Sequence, residues 1–239
     1  MGSKPFKTFN GAWDLLIDER GLSCPNREAL KTYLSRINYY RFSGYARQFQ
    51  RNPKYGDNNF IKGTFFQIIL NVIEADTKLR HLLFSQLGSI EIVIRAQLAH
   101  KYGQTYGATA YYLNIENYAQ VNNPIVDKTT SITKGILSDL ERDKSQMIKH
   151  YADLSVRGEH FQSRCERYEN VPIWVAVEVL SFGRISNMIT YTKNIEPAKQ
   201  VARSLNVQWA PFSEVVHALS VLRNLCTRHH QLWNRRMDI

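Results

Sequence analysis

Cysteine is scarce in this chain of 239 residues, with Cys24, Cys165 and Cys226 the only three. An odd number spaced far apart argues against a disulfide framework and suits a reducing compartment, so the chain reads as cytoplasmic. No CxxC pair exists to complete a tetrahedral zinc set, and Cys226 with His229 and His230 would supply at most two well-directed ligands from one helix. No metal is therefore expected. Long apolar runs are also missing. The start, MGSKPFKTFN, lacks a signal core, and no later stretch reaches the roughly 18 uncharged apolar residues of a membrane span, so no membrane partner is expected. GxxxxGK[ST], HExxH and GxSxG do not occur, which removes the phosphate-cradling loop, the zinc-protease helix and the nucleophile elbow. No cofactor is implied.

What is present suits an ordered globular chain: 44% hydrophobic and 22% charged residues, with no proline- or glycine-rich tract. The length is enough to bury a core as one domain without a partner. Acidic residues are in the minority. The excess of 31 Lys+Arg over 21 Asp+Glu gives a formal charge of +10, a field that attracts polyanions, nucleic acid first among them.

Apolar spacing predicts helices and no sustained strand. A first helix runs from about Asn10 to Arg20 and stops at Gly21. Asn26 caps a second, carrying Leu30, Tyr33, Leu34 and Ile37, which ends before the aromatic run Tyr39 to Tyr45. Residues 51–59 read as a polar loop. Thr64 with Gln67 resembles a capping box opening a long helix, whose expected buried stripe is Phe65, Ile68, Ile69, Val72, Leu79, Leu83, Leu87, Ile90, Ile94 and Leu98. Its acid-first pairs, Glu74 with Lys78, Asp76 with Arg80 and Glu91 with Arg95, suit a solvated face. Glu91 and Arg95 adjoin Ile90 and Ile94, so a site-facing ion pair is the alternative for them. Residues 103–123 read as loop and 130–151 as helix. The stretch 155–170 carries Arg157, His160, Arg164, Arg167 and Tyr168, which suits phosphate contact or an ordinary polar loop. Pro172 opens a helix reaching Thr192 with a weak point at Gly183, a shorter helix spans Pro197 to Leu205, and the last begins near Ser213.

That last segment reads Arg223-Asn224-Leu225-Cys226-Thr227-Arg228-His229-His230-Gln231-Leu232-Trp233-Asn234-Arg235. It puts groups that titrate near neutral pH, fixed cations and amide donors in one place. Metal-free RNA cleavage needs a base for the 2′-hydroxyl, charge stabilisation at phosphorus and an acid for the leaving 5′-oxygen. His229 suits the acid or base role, Arg223 the stabilising cation, and Asn224 a phosphate oxygen or the orientation of a histidine. On an ideal helix a histidine six positions on is turned about 120° from Arg223, while one seven on almost eclipses it, which favours His230. A kink, or a site assembled from two chains, restores His229. The plainer reading is a basic amphipathic helix whose histidines cap or pack. Tyr40, Arg41, Arg228 and Arg235 are candidate RNA contacts, although for Tyr40, Arg41 and Tyr45 packing of an N-terminal helix competes; Trp174 and Trp233 read as core.

Four ordered motifs, Asn38 to Tyr45, Glu91 to Gln97, Pro172 to Gly183, and Leu222 to Arg235, resemble the Abi-like family of bacterial abortive-infection proteins across nearly the whole chain. That family looks like a branch of the HEPN superfamily, whose helical, commonly dimeric members often cut RNA through an Arg-x(4–6)-His motif. Arg223 with either His229 or His230 fits. The resemblance implies an all-α, HEPN-like helical bundle with extra N-terminal helices. Residues 1–239 would form a single domain, with 1–58 as the N-terminal elaboration and 59–239 as the core. It further implies a metal-independent endoribonuclease toxin acting on host RNA during phage infection. Its homodimer would join two motifs into composite sites, and an antitoxin protein or a structured RNA would restrain it. The family pattern usually has Arg-Asn-x-x-x-His-His, and Arg228 stands here in place of the first histidine, so His229 aligns with the second. The alternative is a noncatalytic RNA-binding or dimer scaffold that keeps the shape without the chemistry.

Overall fold

The computed structural model describes residues 6–119 and 128–236. Among them the fold is all-α, with eleven α-helices and one two-stranded sheet. The chain divides into two compact units, Met1–Leu83 with Leu225–Met237, and Phe84–Asn224 with Asp238–Ile239.

In the first unit α1 (Phe9–Asp14) runs into a π-helical turn, Leu15–Glu19, before Gly21 takes the left-handed backbone (φ 74°) that ends it. Asn26 accepts a hydrogen bond from the Ala29 amide at 3.0 Å and starts α2 (Arg27–Arg36). The aromatic run is a helix of its own, α3 (Tyr39–Ala46), because Asn38 caps it by accepting from the Tyr40 amide at 2.8 Å. The polar stretch expected as loop is instead a small antiparallel hairpin, β1 (Gln50–Asn52) and β2 (Asp57–Phe60), turned at left-handed Gly56. Its polar residues hide the alternation that would mark strands. Leu16, Leu22, Leu30, Leu34, Phe42, Tyr45, Phe60 and Ile69 are among the side chains of this unit's core.

The long helix α4 (Phe66–Tyr106) contributes residues to both units. The expected capping box does not form. Thr64 Oγ1 donates to the Ile61 carbonyl, Gln67 donates to Asn71, and the Phe66 amide is satisfied by the Ser23 carbonyl at 2.8 Å. The buried stripe also differs from expectation. Ile69, Leu87, Ile94 and Leu98 are buried, but Phe65, Ile68, Leu79 and Ile90 are exposed, while Asp76, Arg80 and Glu91 are buried. Two of the acid-first pairs thus lie inside rather than on a solvated face, because the helix keeps the phase of Ile69 and Ile73 through Asp76 and Arg80. By length and composition one 18-residue stretch of α4, with mean hydropathy 1.2 and 28% of it buried, would suffice to cross a membrane, a property that the core helices of soluble proteins share.

In the second unit two 3-10 turns, Tyr111–Leu113 and Ile115–Asn117, follow α4. Residues 120–123 of the expected loop lie outside the described residues. The helix expected over 130–151 is two, α5 (Lys128–Arg142) and α6 (Gln146–Tyr151), the second capped by Ser145. A short α7 (Phe161–Glu166) sits within the basic polar stretch, where Arg164 pairs with Glu141 and Tyr168 is buried. The helix after Pro172 is also divided, into α8 (Ile173–Val179) and α9 (Phe182–Tyr191). The break precedes Gly183, at Leu180 and Ser181, where the Ser181 amide donates to buried Asp139 at 3.1 Å. Then come α10 (Glu196–Ser204) and α11 (Trp209–Thr227), which begins four residues before expectation. Leu98, Ile136, Leu140, Val177, Ile185, Val201 and Val216 are among the side chains of the core. Tyr102, Tyr111, Tyr112 and Tyr118 are also buried or nearly so, and burial holds all four phenols well above their usual range.

Candidate functional site

The motif-bearing helix stops at Thr227, eight residues before Arg235. The His230 amide donates back to the Leu225 carbonyl at 2.9 Å and the His229 amide to Cys226 at 3.1 Å, while His229 adopts φ 55°. These two bonds and the left-handed residue make a Schellman ending, with His229 where glycine is usual. Histidine reaches this backbone region more readily than bulkier residues, at some cost in strain. The helical phase argument that favoured His230 therefore does not apply, since neither histidine lies within the helix.

Arg223 and Asn224 belong to the second unit, and the stretch that follows, Leu225–Met237, to the first. In the second unit Arg223, one turn before the end of α11, places Nε 3.1 Å from Glu91 Oε2. Glu91, 6% exposed, also pairs through Oε1 with Arg95, whose guanidinium donates onward to the Val177 carbonyl. One buried carboxylate thus holds two arginines, and Arg223 keeps about a third of its side chain exposed. The charge of Glu91 offsets one guanidinium, and the second leaves the cluster net positive, suited to a phosphate. Asn224 is exposed and its Oδ1 is 3.4 Å from Arg223 Nη1.

In the first unit His229 and His230 are exposed, but the backbone around them is held. Arg41 Nη1 donates to the His229 carbonyl at 2.5 Å, and Arg80 Nη1 reaches the His230 carbonyl at 3.4 Å. Beyond them the Leu232 and Trp233 amides donate to Asp76 Oδ1 at 3.2 and 2.8 Å. Asp76, 2% exposed, further accepts from Tyr45 Oη at 2.5 Å and pairs with Arg80. Burial, then the bond to Asp76, push the Tyr45 phenol up. Gly44 faces Gln231 so closely that a Cβ there would lie 2.7 Å from its Oε1. Trp233 is half-exposed rather than core, its indole donating to Gln48 at 2.5 Å, and Trp174 is equally exposed.

The remaining candidates are dispersed. Arg228 and Arg235 are exposed. Tyr40, 70% exposed, lines a cavity of about 910 Å³ with Lys7, Arg20, Tyr39 and Arg47. Arg41 is engaged by the His229 carbonyl, an attachment that its sequence position did not suggest. Tyr45, for which packing competes with RNA contact, is packed in the core, whereas Asp76 and Arg80 carry no sequence expectation of a place in the site. Their signal was the phase of α4, which sets Asp76 seven residues after Ile69 and Arg80 seven after Ile73. No group of three metal-ligating side chains occurs among the described residues.

The sequence motifs are therefore in contact within each unit: Asn38 to Tyr45 touches the segment after α11 in the first, and Glu91 to Gln97 touches both Val177 and Arg223 in the second. Residues 32–234 match the Abi-like protein family, and the chain is a member of it. Searches of curated proteins and of solved structures found no match. Family membership points to a role in abortive infection.

Proposed function

We propose that the protein is an endoribonuclease toxin of an abortive-infection system that cuts RNA in the cytoplasm without a metal. The observation that carries this reading is the Glu91-held guanidinium of Arg223, one turn before the helix ends at exposed histidines. In the reaction a histidine, His229 first and His230 second, takes the proton of a 2′-hydroxyl. The oxygen attacks the adjacent phosphorus, forming a 2′,3′-cyclic phosphate as the bond to the 5′-oxygen breaks, and an imidazolium returns a proton to that leaving oxygen. Arg223 stabilises the added charge on the phosphoryl oxygens, and Asn224 donates an amide hydrogen bond to one of them. Arg228 and Arg235 supply phosphate contacts, and the formal +10 charge draws the polyanion in.

Association into a homodimer, in which each copy's arginine and histidine serve composite sites, is part of the proposal. It is supported by apolar side chains that α4 leaves in solvent, Leu79, Leu82, Ile90 and Val93 among them. An antitoxin protein or a structured RNA bound to the basic surface would restrain the toxin. Arg228, standing where the family usually has its first histidine, favours the second reading, a noncatalytic RNA-binding scaffold.

The test is cleavage of a mixed cellular RNA pool in EDTA by wild type, Arg223→Ala, His229→Ala and His230→Ala, each checked for folding and solution mass. Loss with Arg223→Ala and one histidine variant supports the nuclease and names its acid or base. A folded wild-type dimer that binds RNA but leaves it intact selects the scaffold.

A further inference from the structure

Three arginine or aspartate side chains from two helices act on one short stretch of main chain, and none of them is part of the motif itself. Arg41 of α3 holds the His229 carbonyl, Arg80 of α4 reaches the His230 carbonyl, and Asp76 of α4 receives the Leu232 and Trp233 amides. These contacts grip the chain at the left-handed residue and again three residues later. A non-glycine residue at φ 55° persists only where its surroundings over-determine it, and here four side-chain-to-backbone bonds do so. The alternative role for Arg41, contact with RNA phosphate, competes with its bond to His229, since one guanidinium nitrogen is already committed at 2.5 Å.

We infer that Arg41 and the buried Asp76–Arg80 pair are positioning residues, which set the backbone of His229 and so the direction of its imidazole. Tyr45, donating to Asp76 from the core, fixes the carboxylate in turn. The inference rests on the nuclease reading for its catalytic consequence, though not for the conformation it describes. Arginine suits the Arg41 position because a planar guanidinium can hold one carbonyl in a fixed direction, whereas an ammonium swings on its stem. Misplacing a reacting group by an ångström costs rate rather than substrate affinity.

The experiment compares wild type with Arg41→Ala, Arg41→Lys and Asp76→Asn by two readouts. Steady-state cleavage of a fluorogenic RNA oligonucleotide, at several salt concentrations, separates kcat from KM. Histidine-labelled protein gives the backbone Cα resonance of His229, which reports its left-handed state without any activity. Positioning predicts that Arg41→Ala lowers kcat on the order of tenfold with KM and its salt dependence almost unchanged. It also predicts a shifted His229 resonance in Arg41→Ala and Asp76→Asn, with partial recovery in Arg41→Lys. A rise in KM with a shallower salt slope and an unmoved resonance makes Arg41 a phosphate contact and overturns the proposal. If Asp76→Asn does not fold, the Arg41 pair decides alone. Should wild type cut no RNA, the nuclease reading fails separately, and a His229 resonance unmoved in the Arg41 variants overturns the positioning claim by itself.

Discussion

Asp76–Arg80 and Glu91–Arg95 are the same device written twice in α4, a buried acid followed four residues later by an arginine, yet they hold different things. Glu91 holds a side chain, the guanidinium of Arg223, and leaves part of it open to solvent. Asp76 holds main chain, the amides of Leu232 and Trp233, and is itself almost wholly enclosed. A carboxylate that orients a partly exposed cation tunes chemistry, because about a third of its partner's side chain stays in solvent. One that is itself buried and accepts backbone amides determines where a chain segment runs, and losing it takes that partner from the buried Tyr45 and Arg80 donors.

The largest effect separates chemistry from support. Arg223→Ala is expected to lower RNA cleavage by about 100-fold or more, the scale of losing one transition-state charge donor, while circular dichroism and solution mass stay as in wild type. Retained cleavage would make Arg223 a structural partner of Glu91 and would erase the contrast between the two pairs.

Stability measured by urea unfolding should then order the acids. Asp76→Asn breaks a buried pair and weakens two amide contacts, so a loss of about 3–5 kcal/mol is expected. Glu91→Gln keeps a hydrogen-bond acceptor beside a partly exposed Arg223, so its stability loss should be the smaller. Its effect on cleavage should be clear, because Arg223 is no longer held. If the two variants lose equal stability, the distinction between main-chain and side-chain support fails.

Left-handed His229 gives a finer test. Relative to His229→Ala, His229→Gly should be more stable by about 1 kcal/mol, since both lose the imidazole but only glycine adopts φ 55° without strain. Equal stability would mean that the segment relaxes once the imidazole is gone.

The helices were legible in the sequence because their signals are local: the Asn26 cap, the Gly21 stop and Pro172 at a helix start all lie where the chain uses them. The boundary that matters most was not. Nothing in Thr227-Arg228-His229 announces a helix end, because the residue in the glycine position is histidine and the bonds that hold it come from Arg41, 188 positions away. The motif residues themselves are visible as a cluster, and a site-facing Glu91 is one of the alternatives the sequence offers. The general tendency of charges to stay outside suits Asp76 and Arg80 to a solvated face, although their spacing from Ile69 and Ile73 puts them on the buried one. Burial of α4 is decided by what packs against it, and hydrophobicity alone therefore chose the wrong stripe for Ile68, Leu79 and Ile90.

The smallest effect comes from an ion pair that touches no motif residue. Arg164 binds Glu141 through two nitrogens, at 2.8 and 2.5 Å, and that bond holds the Glu141 carboxyl below its usual range against the opposing pull of burial. A carboxyl with a lowered folded-state pKa contributes stability above its unfolded value, and the contribution fades as pH falls through the lowered one. Glu141→Gln should therefore be less stable than wild type at pH 7 by less than about 1 kcal/mol, since Arg164 is about a third exposed and solvent screens the pair. The gap should close on acidification below about pH 4, with RNA cleavage at pH 7 unchanged. A cleavage defect in this variant would mean that any loosened ion pair disturbs activity, and the special standing of the two carboxylates in α4 would go with it.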